Sequence, residues 1–238
     1  MTEAPPVAGE RPQPARKFYG RRHGKALRPA QARLVEDLLP RLAIPGAARQ
    51  GDPARAPVDP AALFGDDRPV WLEIGFGAGE HLAHQAALHP GTGFLGAEPF
   101  VNGVAAFLGK VEARGLANIR IHPGDARDLV ELLPPASLSR VFLLYPDPWP
   151  KTRHRDRRFM SPENLALLVR AMAPGAELRL ATDIPDYVAH ALAAVAASGF
   201  RREERDPATP WPDWTRTRYE AKALREGRTP AYLSFRRA

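Results

Sequence analysis

The sequence predicts an α/β fold, a mostly parallel sheet with helices on both faces. Three observations carry that expectation. Short apolar runs alternate with stretches of helical periodicity from position 70 to position 198, the pattern of repeated βα units. One run, Val70-Trp71-Leu72-Glu73-Ile74, enters the glycine turn Gly75-Phe76-Gly77-Ala78-Gly79, which opens into a helical pattern. Another, Val141-Phe142-Leu143-Leu144, is wholly apolar and reads as a strand buried on both faces.

In chain order, each element follows from a local signal. After the glycine turn, positions 80–88 place apolar residues at helical spacing. A strand over 93–98, a helix over 101–114 and a strand over 118–122 continue the alternation. A short helix over 128–133 precedes the apolar strand, expected over 141–145. Ser161-Pro162-Glu163-Asn164 reads as an N-cap followed by proline in the first turn, so a helix starts at 162. A strand over 177–181 and a helix over 185–198 complete the alternating part. The tail then changes character. Short strands over 200–205 and 231–237 flank a loop with Trp211 and Trp214 and a helix over 220–226. Antiparallel strands at the sheet edge accommodate that tail.

Composition narrows the rest. A chain of 238 residues buries enough apolar surface for one large domain without cross-links. The expected organisation is a disordered basic, proline-rich leader over 1–20 and a single domain over 21–238, with a loop over 46–60 where periodic hydrophobics are lost. There is no cysteine, which excludes thiolate catalysis, cysteine-ligated zinc and disulfides and fits a cytoplasmic location. The longest apolar stretch, near 187–200, is interrupted by His190 and too short to span a bilayer, so no membrane partner is expected. A formal charge of +7 favours a polyanionic partner. His81 and His84 lie one helical turn apart, but no further ligand motif accompanies them, so no metal is expected. The chain is read as a monomer or homodimer.

The glycine turn lets the backbone approach a ligand closely, and the following helix offers unpaired N–H groups. Its spacing, with Glu80 where a third dinucleotide glycine would fall, disfavours NAD or FAD. Three acids at the ends of consecutive strands refine the reading. Glu73 can accept from an ammonium group, Glu98 from a ribose diol, and Asp125 from an adenine amino group. Each alone could be a helix cap or a solvated carboxylate. Together with Gly75 and Gly77 they describe S-adenosylmethionine. At the end of the apolar strand, Tyr145-Pro146-Asp147-Pro148-Trp149-Pro150-Lys151 sets one carboxylate among rigid prolines, beside the cationic run Arg153-His154-Arg155-Asp156-Arg157-Arg158. Lys151 and that run suit phosphate. Tyr145 and Trp149 can stack on a base or pack a core.

These motifs, with Ala181-Thr182-Asp183 and Thr217-Arg218-Tyr219-Glu220, closely resemble the bacterial tRNA (guanine-N7-)-methyltransferase family from about Arg68 onward. The resemblance implies a Rossmann-like class I methyltransferase with a seven-stranded, mostly parallel sheet, S-adenosylmethionine as methyl donor, and N7 of a guanine in the tRNA variable loop, position 46, as acceptor. It implies that Glu73, Glu98, Asp125 and Asp147 contact the cofactor side. It also implies that Lys151, Asp183, Thr217, Arg218, Tyr219 and Glu220 hold the substrate. Tyr19-Gly20-Arg21-Arg22-His23-Gly24-Lys25 resembles the family's basic leader.

Guanine N7 carries a lone pair and no proton, so Asp147, the expected catalytic residue, has nothing there to deprotonate. A carboxylate can instead accept from the guanine N1–H and exocyclic amine, orient N7, and favour the charge that the base acquires. Two rivals remain open at this level: a class I methyltransferase acting on another RNA base atom, and a noncatalytic RNA-binding protein on the same scaffold.

Overall fold

The computed structural model describes residues 18–238, and most of the expected leader, residues 1–17, lies outside the described residues. Seven strands form one sheet in the order β3-β2-β1-β4-β5-β7-β6. They are β1 (Val70–Ile74), β2 (Gly93–Ala97), β3 (Ile119–His122), β4 (Leu138–Leu144), β5 (Met172–Thr182), β6 (Phe200–Arg202) and β7 (Ala231–Arg237). The first five pair parallel, and β7 is antiparallel to both β5 and β6. The sheet order reverses between β1 and β4, where both chains leave at their carboxyl ends. That is the switch point at which open α/β sheets bind ligands.

Helices α1 (Pro29–Asp37), α2 (Leu39–Leu42) and α3 (Pro60–Phe64) precede the sheet. Neither α1 nor α2 is anticipated by the sequence reading, because Leu34, Val35, Leu38 and Leu42 form a weak stripe among charged residues and prolines. The apolar face of α1 packs against α5 (Val101–Arg114) beside Phe107, Leu108 and Val111, and α2 lies against α1 and β3. The stretch before α3 is irregular but docked: Arg55 pairs with Glu131 at 2.6 Å and Val58 donates to the Leu132 carbonyl at 3.0 Å.

The remaining helices alternate with strands: α4 (Glu80–Leu88), α5, α6 (Ala126–Val130), α7 (Pro162–Ala171), α8 (Pro185–Ala196) and α9 (Arg218–Arg225). Local chemistry sets their starts. Asp125 caps α6 by accepting from Arg127 N at 3.0 Å, two residues earlier than periodicity alone suggests. Ser161 caps α7 with Pro162 in its first turn. A 3-10 helix at Thr152–Arg157, not expected from the sequence, carries the cationic run.

Strand alternation divides the core in two. Leu72, Ile74, Leu95, Val141 and Leu143 face α6, α7 and α8 through Leu129, Leu165, Leu168 and Tyr187. Phe94, Ile119 and Ile121 face α4 and α5 through Leu82, Phe107 and Leu108. Phe142 and Leu144 meet Trp211 of the tail loop and Tyr232 of β7. Among the described residues no helix is long and apolar enough to cross a membrane.

Candidate active site

The carboxyl ends of β1, β2 and β4 open onto a cavity of about 750 Å³, within the size range of small-molecule sites. Ile74, Ala97 and Leu143 form an apolar floor, while Glu98, Asp125 and Asp147 bring carboxylates to the wall. Gly75 has φ 70°, and a Cβ added there would meet nothing within 4 Å, so the turn presents bare backbone to open space. Gly79, at φ 69°, closes the turn against Phe107, whose ring would lie 2.1 Å from an added Cβ.

Asp147 lies between two residues of left-handed backbone. Tyr145 has φ 49° and Trp149 φ 41°, and each is followed by proline. Such conformations cost non-glycine residues about 1–3 kcal/mol each and persist only where surrounding contacts enforce them. Here the contacts are specific. Tyr145 N donates to the Ala181 carbonyl at 2.7 Å. Beyond Asp147, the buried Arg158 donates to the carbonyls of Pro148 and Trp149 and to the Asp186 carboxylate. Asp147 itself has no hydrogen-bond or ion-pair partner among the described residues. Its side chain is reached from the cavity, yet enough protein surrounds it that desolvation holds its carboxyl above the ordinary range.

Glu98 is 7% exposed and bridges the glycine turn to the start of α5. Its Oε2 accepts from Gly77 N at 2.7 Å and its Oε1 from Phe100 N at 2.8 Å. Burial pushes its carboxyl up, against the downward pull of those two amides. Asp125 caps α6, pairs with Arg127, and reaches the cavity wall. The site therefore combines exposed backbone, two hydrogen-bonded carboxylates at successive strand ends, and an unpartnered carboxylate across the switch point.

Comparison with known proteins assigns the chain. Residues 67–232 match the family model described as "Putative methyltransferase". The tRNA (guanine-N(7)-)-methyltransferase of Paracoccus denitrificans is 56% identical over 224 residues, covering 94% of this chain and 96% of that protein. The chain belongs to the tRNA (guanine-N7-)-methyltransferase family. A second member of the family, from Ruegeria pomeroyi, is 56% identical over 228 residues, again covering 94% of this chain and 96% of its own length. A solved structure of the 16S rRNA methyltransferase KamB aligns with TM-score 0.55 at 19% identity, covering 82% of this chain and 99% of that one. That likeness supports the class I methyltransferase fold, whose seven-stranded, mostly parallel sheet is the one observed.

Within this member of the family, the expected site residues divide. Gly75, Gly77, Glu98, Asp125, Asp147 and Tyr219 line the cavity. Glu73, expected to accept from an ammonium group, does not line it. Alternation along β1 sends Leu72 and Ile74 to one face and Trp71 and Glu73 to the other, where Glu73 Oε2 meets His81 Nδ1 at 2.6 Å, both buried. His81 is thereby committed to Glu73, and the described residues contain no group of three or more potential metal ligands.

The residues expected on the substrate side occupy different surroundings. Thr217 is buried as the N-cap of α9, accepting from Glu220 N at 3.2 Å. Glu220, also buried, accepts from Trp214 Nε1 at 2.7 Å and from the Tyr232 hydroxyl at 2.8 Å. Both secure the start of α9 rather than face the cavity. Asp183 pairs with Arg228. Arg218 and Tyr219 are the exposed pair, joined at 3.0 Å, with the Tyr219 ring beside Gly77. Lys151 stands exposed on the lip outside the cavity lining.

The structure adds residues to which sequence reasoning assigned no site. Phe18, Tyr19 and Arg21 line the cavity, joined there by Arg157 of the cationic run read above as suiting phosphate. Residues 18–20 therefore sit at the site, although the expected domain boundary placed them in the leader. Asn102 pins the leader by accepting from Gly24 N and donating to the Lys25 carbonyl, both at 2.7 Å, and Val101 N donates to the Arg22 carbonyl at 2.9 Å. The signal available was the basic, aromatic run from Tyr19 to Lys25.

Proposed function

We propose that this chain transfers a methyl group from S-adenosylmethionine to N7 of a guanine in tRNA, at position 46 of the variable loop. The observation that carries the reading is Asp147: an unpartnered carboxylate held between two strained residues, at the mouth of a cavity floored by Ile74 and Leu143. When bound, S-adenosylmethionine supplies an electrophilic sulfonium methyl group.

The residues of the chain divide the remaining work. Glu98 and Asp125, both on the cavity wall, are placed for the donors of a ribose and an adenine. The bare backbone of Gly75 and Gly77 suits a close-lying amino-acid tail. Asp147 accepts from N1–H and the exocyclic amine of guanine, so it selects the base and turns N7 toward the donor without removing a proton. Tyr219 and Arg218 close the opposite wall. Lys151, Arg153 and the neighbouring cations hold phosphates, and an enzyme of tRNA is placed in the cytoplasm. Holding donor and acceptor in line contributes roughly 7–11 kcal/mol, against roughly 2.7–4 kcal/mol for one well-placed electrostatic contact, so positioning dominates catalysis.

Incubation with labelled S-adenosylmethionine and unmodified tRNA, followed by nucleoside mapping, tests the reading. 7-Methylguanosine at the variable loop is expected. Label on an exocyclic amine, or no label, overturns it.

A further inference from the structure

Arg157 lays its guanidinium over two aromatic rings at the cavity mouth. Its central carbon is 4.4 Å from the Tyr19 ring centroid and 5.0 Å from that of Trp149. The rings themselves are 6.3 Å apart at 74°, forming a corner, and all three residues line the cavity. Among the described residues no carboxylate pairs with Arg157. The corner thus holds a flat cation by its π faces alone.

This corner is a built feature. Trp149 is set by the left-handed backbone that Arg158 holds through its carbonyl. Tyr19 is carried across the cavity by the leader that Asn102 pins to α5. Two walls 130 positions apart in the sequence meet where the loop bearing Asp147 ends.

We propose that the Tyr19–Trp149 corner is the seat of the acceptor guanine, occupied by the Arg157 guanidinium until the base enters and Arg157 swings out to a backbone phosphate. The inference rests on the methyl-transfer reading above and names the residues that recognise the face of the base. In the reaction, the N7 lone pair forms the new N–CH₃ bond as the S–CH₃ bond breaks. Its electron pair returns to sulfur, and the positive charge passes from the sulfonium to the purine with no proton released. A neutral flat ring thereby becomes a flat cation, the species for which the corner is already suited. The rings hold the developing cation more tightly than neutral guanine, which accelerates transfer rather than merely tightening binding. Asp147 reads the edge of the base, and the corner reads its face.

The test uses the full chain and three forms: wild type, Tyr19→Phe, which keeps the ring, and Tyr19→Leu, which removes it from a partly exposed position. With unmodified tRNA, Tyr19→Leu is expected to lower kcat about five- to thirtyfold while KM for tRNA changes less than about twofold, because phosphate contacts dominate tRNA affinity. Tyr19→Phe stays within about twofold of wild type. In calorimetric competition, wild type is expected to prefer 7-methylguanosine 5′-monophosphate over GMP by at least about threefold, a preference that Tyr19→Leu loses with its melting temperature unchanged. An unaltered kcat in Tyr19→Leu, an equal loss in Tyr19→Phe, or no measurable preference in wild type overturns the proposal. Wild type that methylates tRNA while Tyr19→Leu keeps full kcat sinks only the corner. Wild type that makes no 7-methylguanosine sinks the underlying reading instead.

Discussion

Arg158 donates through Nε to the carbonyl oxygen of Pro148 at 2.9 Å, and its side chain is fully buried beneath the loop that carries Asp147. A single guanidinium there serves two loop carbonyls and the Asp186 carboxylate at the start of α8. The cation is part of the architecture that holds the loop in its strained form, not part of the phosphate-facing lip.

Replacing Arg158 by Lys therefore removes more than its charge type suggests. An ammonium cannot span the carbonyls and Asp186 together, and the buried charge it leaves incompletely paired costs on the order of 3 kcal/mol. Denaturant unfolding should show a clear fall in midpoint, with kcat reduced more than KM as Asp147 shifts. An unchanged midpoint would contradict this role.

Asp147→Asn should separate activity from stability. Desolvation raises the Asp147 carboxyl in the folded state above its unfolded value, near 3.9. The folded protein thus binds this proton more readily, and stability falls as pH rises through the raised value. At neutral pH the ionised carboxylate is a small burden, so the Asn variant should melt at or slightly above the wild-type temperature while losing at least roughly tenfold in kcat/KM. A lower melting temperature in step with the activity loss would argue for a structural role.

The same shift sets a pH profile. Asp147 must be ionised to accept from guanine, so kcat/KM should decline on the acid side at a pH above that expected for a solvated aspartate. Glu98, raised by its own burial, reinforces that limb. In Asp147→Asn the limb should flatten on whatever rate remains, and a profile identical to wild type would exclude Asp147 as its source.

Lys151 and Arg153 are exposed and without carboxylate partners among the described residues, whereas Arg155 pairs with Asp186 at 2.7 Å. Only the unpaired cations should release counterions on tRNA binding. The Lys151→Ala, Arg153→Ala double variant should reduce the slope of log affinity against log salt by about one to two, and Arg155→Ala by less. Equal effects of all three would remove the distinction.

Thr217→Ala should behave as a cap deletion. Loss of its bond to Glu220 N costs about 1 kcal/mol and loosens the helix start that carries Tyr219. Thr217→Ser, which keeps the hydroxyl, should restore both melting temperature and rate. Failure of Ser to rescue the rate, with stability intact, would return Thr217 to direct substrate contact.

Much of the molecule is legible from local signals. The strands at Val70–Ile74 and Ala231–Arg237 and the helix Val101–Arg114 have the extents that periodicity suggests. The glycine turn, Glu98, Asp125 and Asp147 do meet at one cavity. The amino end is harder to read, because α1 owes its stability to burial against α5, and α2 to burial against α1 and β3, rather than to a strong apolar stripe.

Residue order was enough to specify the alternating elements, the family and the acid at the switch point, because helix period, strand period and glycine freedom act within a few neighbours. Folding alone settled which of the expected acids face the cavity. Glu73 turns to His81, Asp183 to Arg228 and Glu220 to Trp214 and Tyr232. It also brought Tyr19 beside Trp149. Asp183 and Arg228, and Tyr19 and Trp149, are far apart in the chain, and even at shorter range a carboxylate goes to the donor that the fold buries beside it, which no local pattern encodes.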